Sequence, residues 1–192
     1  MTPNTNHIAR WVSIIVHPFA MALILAVVPG WYLSSRTSPM LGILLVTLTI
    51  LLPLSVLMFR QVRMGRWTNV DASNKSERPV MFIVALIGFS ILISWLIFND
   101  PHSFLLRGAL ITTGFVVLAY ALNRRIKLSM HVTFASMTAT SLTILGSPIG
   151  YALIPAVPLL AWSRLALLRH RPYEIILGLF LGALCGVVLV RF

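Results

Sequence analysis

The chain has 192 residues, of which 58% are hydrophobic and 10% charged, and its mean hydropathy is +0.93. Values this apolar lie outside the range of water-soluble domains, so they exclude a soluble enzyme and point to a protein embedded in a membrane. The net charge of +11 would suit a nucleic-acid binder, but the basic residues sit in short loops between apolar runs, where anionic headgroups or a phosphorylated substrate explain them better.

Apolar runs of roughly twenty residues, the length of one membrane crossing, recur along the chain. The first ten residues lack the charged head and small-residue cleavage site of a signal peptide, so the run after them is read as a retained span. That first span covers about residues 11–33, with Trp11, Trp31 and Tyr32 near its ends, where amphipathic rings prefer to sit. His17-Pro18 within it is read as a locally bonded kink. A turn carrying Arg36 leads to a second span, about residues 40–59. The loop over residues 60–79 is the longest polar stretch and holds Asp71 and Glu77, two of the four acids in the chain.

A third span, about residues 80–98, ends at Asn99-Asp100-Pro101-His102-Ser103, a turn by composition. The fourth covers about residues 104–122, with Arg107 close enough to its end to snorkel. A second basic loop closes on His131, which opens a run dense in Ala, Ser and Thr, as expected of a helix buried among other helices. Gly146 to Gly150 turn the chain, and a proline-broken segment over residues 151–162 returns it. The last span, about residues 174–190, carries Gly178, Gly182 and Gly186 at intervals of four, a spacing read as a packing seam. Cys185 is the single cysteine and lies in that span, which excludes an internal disulfide. The expected fold is therefore an all-α polytopic transmembrane helix bundle of about six to seven spans, filling residues 1–192 as one integral-membrane domain.

Pairs of spans separate the three basic loops, so all three are expected on one side of the membrane. Residues 162–178 are the most informative of them, because Arg164, Arg169, His170, Arg171 and Glu174 meet there at one membrane boundary. Pro172 fits the first turn of a helix, where its missing N–H would have had no partner. His170 then lies just outside that helix and Glu174 about one turn in, within reach of the imidazole. A carboxylate so placed fixes the ring's tautomer and leaves the other nitrogen as acceptor or nucleophile.

One face thus gathers Lys75, Arg78, His131, Arg164, His170 and Glu174. Converging guanidinium groups suit a phosphate, to whose oxygens each can donate two parallel hydrogen bonds. Two histidines can divide a phosphoryl transfer, one attacking phosphorus and the other protonating the leaving oxygen. Arginines would stabilise the charge on the equatorial oxygens, so no metal or other cofactor is needed in principle. A metal site is the competing use of two histidines and a carboxylate, and a dense ring of arginines opposes it.

The third loop, Ser163-Arg164, five residues, His170, three residues, Glu174, resembles the S-R-x5-H-x3-D signature of the type 2 phosphatidic acid phosphatase superfamily in every position but the last. Ser129 and His131 are similar to the Ser and His of its P-S-G-H, and Arg78-Pro79 match the end of its K-x6-R-P, with Asp71 at the lysine position. The resemblance implies a helical-bundle membrane lipid phosphatase. It implies His170 as nucleophile, His131 as general acid, Glu174 as the group orienting His170, and Arg164, Arg78 and Ser129 as phosphate ligands. Lys75, three residues before Arg78, is the expected source of the cation missing at Asp71.

The substrate expected is a phosphomonoester or diphosphate of a lipid, of polyprenyl or phosphatidate type, entering sideways from the bilayer; the partners are that lipid and the membrane, with no nucleic acid. The excess of Lys and Arg on the motif side, including Arg60, Arg63, Arg66, Arg124 and Arg125, favours a cytoplasmic site in a cell inner membrane. The alternative is a catalytically silent homologue that binds or moves phosphorylated lipids. A transporter would place ionisable groups near mid-span, whereas nearly all of these lie at span ends or in loops.

Overall fold

The structure is a computed structural model that describes residues 3–33, 36–70, 72 and 74–191, with backbone alone for 3–5. Helices account for 81% of it, and no strand occurs among the described residues. The order is α1 (Pro3–Ile15), α2 (Pro18–Val27), α3 (Pro39–Val46), α4 (Leu52–Arg63), α5 (Arg78–Asn99), α6 (Phe104–Leu122), α7 (Met130–Ile144), α8 (Pro148–Ala166) and α9 (Pro172–Arg191). Proline opens α2, α3, α8 and α9, where its fixed φ suits the first helical turn and its missing N–H costs nothing. Six helical stretches are long and apolar enough to cross a bilayer, and the chain is a multi-pass membrane protein. They are Asn6–Trp31, Pro39–Arg63, Lys75–Asn99, Phe104–Leu122, Pro148–Ala166 and Pro172–Arg191.

The helices form two compact units, one made of Met1–Tyr32 and Leu128–Phe192, the other of Leu33–Lys127. In the first unit α7 is the central helix, with ten of its fifteen residues buried. Helices α2, α8 and α9 pack on it, and α1 packs on α8. Val16, Met21, Val132, Ala135, Ala139, Val157, Leu160 and Ile175 make the apolar core between them. Helix α9 lies along α7 through its three glycines. A Cβ at Gly178 would come 3.0 Å from Thr133 Oγ1 and 3.2 Å from the Ser129 carbonyl, and one at Gly186 would come 2.8 Å from the Met137 carbonyl. At Gly182 a Cβ would collide with the Thr133 carbonyl. The Ser136 and Ser141 hydroxyls of α7 donate to the α9 carbonyls of Leu179 and Gly186 at 2.9 and 3.3 Å, so close backbone approach and hydroxyl bonds hold this pair together.

Two helices depart from the expected pattern. The first span is not one helix: α2 has 10 residues, about half the length of a straight crossing, and the chain breaks at Val16-His17 before it. His17 is extended, with φ −73° and ψ 145°, and its Nδ1 accepts the Phe19 N–H at 3.2 Å as the N-cap of α2. The segment expected to be broken by proline is instead continuous as α8. Pro155 and Pro158 lie inside it on an exposed face, where bending away from them disturbs no packing.

In the second unit α5 packs on α6, on α4 and on the π-helical segment Thr47–Leu51 that joins α3 to α4. Pro53 removes the N–H that would have bonded the Thr49 carbonyl, and the π segment absorbs the ring. Gly88 of α5 sits against that carbonyl, where any Cβ would collide with it. The long loop before α5 is organised by buried Glu77. Its Oε1 accepts the Thr68 N–H at 2.9 Å and the Asn74 side-chain amide at 3.1 Å, and its Oε2 accepts the Asn74 N–H at 3.1 Å. This capping box starts the 3-10 turn Lys75–Glu77 that leads into α5.

Candidate active site

The loop between α8 and α9 is five residues long, and both ends of it are fixed by backbone hydrogen bonds. The Arg169 N–H reaches back to the Arg164 carbonyl at 3.1 Å and the Leu168 N–H to the Leu165 carbonyl at 2.9 Å, closing α8 with a left-handed residue. That residue is Leu168, φ +53°. Four residues later Pro172 opens α9. His170 Nδ1 lies 3.0 Å from Glu174 Oε2, and the same oxygen accepts the Arg171 N–H at 3.1 Å. Both side chains are buried. An ionised carboxylate only accepts, so in this pair the imidazole proton sits on Nδ1 and the lone pair on Nε2.

The parallel register of α7 and α9 brings the other residues to this end of the unit. Gly178 of α9 faces Ser129 and Thr133 at the start of α7, and Glu174 lies one turn earlier on α9. There His131 lies in the first turn, 7% exposed, and Ser129 is fully buried at the N-cap position. The Ser129 hydroxyl does not cap α7 and has no hydrogen-bond partner in the structure. Arg164 lies in the last turn of α8, 2% exposed. Its Nη1 donates to Ser13 Oγ of α1 at 2.6 Å, and next to it Ser163 Oγ donates to the Ala9 carbonyl at 2.6 Å. A buried guanidinium, two buried imidazoles, a carboxylate and a buried hydroxyl therefore occupy one end of the first unit.

Lys75 and Arg78 belong to the second unit. Lys75 is exposed and its Nζ donates to the Arg125 carbonyl at 2.7 Å, while the Asn123 side-chain amide donates to the Lys75 carbonyl at 3.0 Å. Arg78 is buried at the start of α5, with its Nε donating to the Ala72 carbonyl at 3.2 Å. The two side chains thus differ in exposure and in the carbonyls they bond. Asp71, at the lysine position of the first motif, lies outside the described residues. Among the described residues no three His, Cys, Asp or Glu side chains are grouped so as to hold a metal ion.

Two residues of the site carried no signal that sequence reasoning used. Ser13 is one hydroxyl among apolar neighbours, and only the packing of α1 on α8 turns it toward Arg164. His17 was read as part of a kink; its cap role fits that reading, but its ring also stands edge-on to His131, 5.0 Å between centroids at 88°. A histidine beside a proline inside an apolar run was the available clue.

No protein-family model matches the chain, and no curated protein or solved structure matches it either.

Proposed function

We propose that this protein is a membrane-embedded lipid phosphatase that hydrolyses a phosphomonoester or diphosphate of a lipid through a phosphohistidine. The observation that carries the reading is the buried His170–Glu174 pair, 3.0 Å apart, at the end of the unit that also holds His131 and Arg164. In the first half-reaction the Nε2 lone pair of His170 attacks phosphorus. The P–O bond to the lipid breaks, and the leaving oxygen takes a proton from His131. Glu174 stabilises the positive charge that develops on the His170 ring. In the second half-reaction His131 accepts a proton from water as the water oxygen attacks phosphorus, breaking the P–N bond and releasing inorganic phosphate. Arg164 donates to the equatorial oxygens in both steps, and Ser129 adds a hydroxyl. The chemistry requires no cofactor.

A substrate whose tail stays between helices suits a chain whose spans run directly into the motif loops. Polyprenyl phosphates and phosphatidate-type lipids both answer that description, with isoprenoid phosphates preferred by analogy. The excess of Lys and Arg in the basic loops supports a site on the cytoplasmic side of a cell inner membrane.

A second reading, a homologue that binds or moves phosphorylated lipids without cleaving them, is favoured by the bonds of Lys75 and Arg78 to the Arg125 and Ala72 carbonyls. One assay separates the two: detergent-purified protein given a panel of lipid phosphates without added metal, beside His170→Ala. Phosphate release by the wild type, lost at least about a thousandfold in the variant, is the result expected of a nucleophile. Binding without release supports the second reading, and equal release by both proteins removes the first.

A further inference from the structure

The break between α1 and α2 contributes two side chains to the site, and each touches a different residue of the machinery. Ser13, 6% exposed, accepts from Arg164 Nη1 at 2.6 Å. His17 stands perpendicular to His131 at 5.0 Å, and on its other flank it meets the Phe19 ring at 4.8 Å and 89°. Its own position is fixed twice, by Phe19's ring and by the Phe19 N–H that its Nδ1 accepts at 3.2 Å. That bond assigns the neutral ring's proton to Nε2. The local backbone is fixed as well, because Pro18 locks φ at the first position of α2, and Val16 and Met21 on either side are anchored in the core with Val132. A side chain held this firmly restricts the rotation of the ring stacked edge-on against it. Neither residue lies in any of the three motif loops.

We infer that the α1–α2 corner is a further part of the phosphate site in the first unit, in which His17 is a positioning residue for the general acid His131 and Ser13 is a positioning residue for the phosphate ligand Arg164. The inference rests on the phosphatase reading. A general acid matters in proportion to how badly the leaving oxygen needs a proton. A lipid alkoxide needs one, whereas p-nitrophenolate departs without it. Misplacing His131 therefore slows the first half-reaction, and with it kcat/KM, selectively for alkyl phosphates, while misplacing Arg164 weakens the hold on any phosphate.

The test uses the full-length purified protein with a lipid alkyl phosphate and with p-nitrophenyl phosphate. His17→Asn keeps an oxygen that can cap α2 and removes the ring; His17→Phe keeps a ring and removes the cap. In His17→Asn, kcat/KM on the alkyl substrate is expected to fall at least tenfold and on the aryl substrate less than threefold; in His17→Phe the ratio of the two is expected to stay within threefold of wild type. Ser13→Ala is expected to raise KM at least fivefold on both substrates with kcat within twofold, and Ser13→Thr to restore it. Equal losses on both substrates in His17→Asn, or a normal His17→Asn beside a failing His17→Phe, would reduce His17 to a helix cap and overturn its part. An unchanged KM in Ser13→Ala overturns the other. Wild-type protein that releases phosphate from neither substrate, nor from the wider lipid panel, overturns the phosphatase reading itself and this inference with it.

Discussion

A neutral imidazole has one donor nitrogen and one acceptor, and in the proposed mechanism which is which decides whether His170 can attack. Glu174 settles it by accepting at Nδ1 from 3.0 Å, and Arg171's backbone N–H on the same oxygen holds the carboxylate still. Gln at this position keeps the size and an acceptor oxygen but loses the charge that stabilises the imidazolium. Glu174→Gln is therefore predicted to lower kcat on a lipid phosphate by about 10²–10⁴-fold with KM little changed, read from steady-state kinetics. Leu168 is a different residue-scale case. It is 89% exposed and held at φ +53°, a conformation that costs a side chain about 1 kcal/mol and glycine almost nothing. Leu168→Gly is predicted to raise unfolding stability by up to about 1 kcal/mol, measured by thermal or denaturant unfolding in detergent. The pairing of His170 with Glu174 was legible because Pro172 fixes where the helix starts, and i, i+4 geometry does the rest. The left-handed turn at Leu168 was not, since no glycine or asparagine marks it.

Helices α7 and α9 meet through glycines, and their register sets Gly178, one turn after Glu174, against Ser129 and Thr133 on either side of His131. Widening that contact should therefore damage stability and site together. Gly182→Leu drives a side chain into the Thr133 carbonyl and Ser136, a misfit worth about 1–3 kcal/mol or more. It is predicted to lower the unfolding temperature and to reduce phosphate release well beyond any fraction unfolded, whereas Leu184→Ala, on the exposed face of α9, should leave both close to wild type. Composition exposed much of this layer: the four-residue glycine spacing marked the seam, and the small, hydroxyl-rich run marked α7 as the buried helix. Hydropathy alone gave no sign of the break at His17, because Val16 and Met21 on either side are apolar; it was Pro18 after His17 that marked a kink there. It also exaggerated the break in α8, since Pro155 and Pro158 face away from α7 and disrupt only exposed turns. The Thr49–Gly88 contact depends on a π-helical turn that no spacing announces.

At the scale of the molecule, hydropathy was the stronger guide, because length and apolarity alone decide which segments can cross a bilayer, and six helical stretches meet that condition. Charge argues for an orientation. Arg60, Arg63, Arg66, Arg124 and Arg125 are demanded by no motif, so by the positive-inside tendency they favour the proposed cytoplasmic side for these loops. With Cys185 replaced by serine, a cysteine introduced at His102 is predicted to react with a membrane-impermeant maleimide in intact cells, and one introduced at Arg66 only after permeabilisation; the reverse pattern would move the site to the outer face. The central claim concerns a covalent bond, and trapping that bond tests it most directly. Purified protein mixed with a labelled lipid phosphate, quenched within milliseconds and mapped by mass spectrometry is predicted to carry an acid-labile, base-stable phosphate on His170, absent from His170→Ala. Phosphate released with the label on no histidine, or label that persists in His170→Ala, would contradict the account.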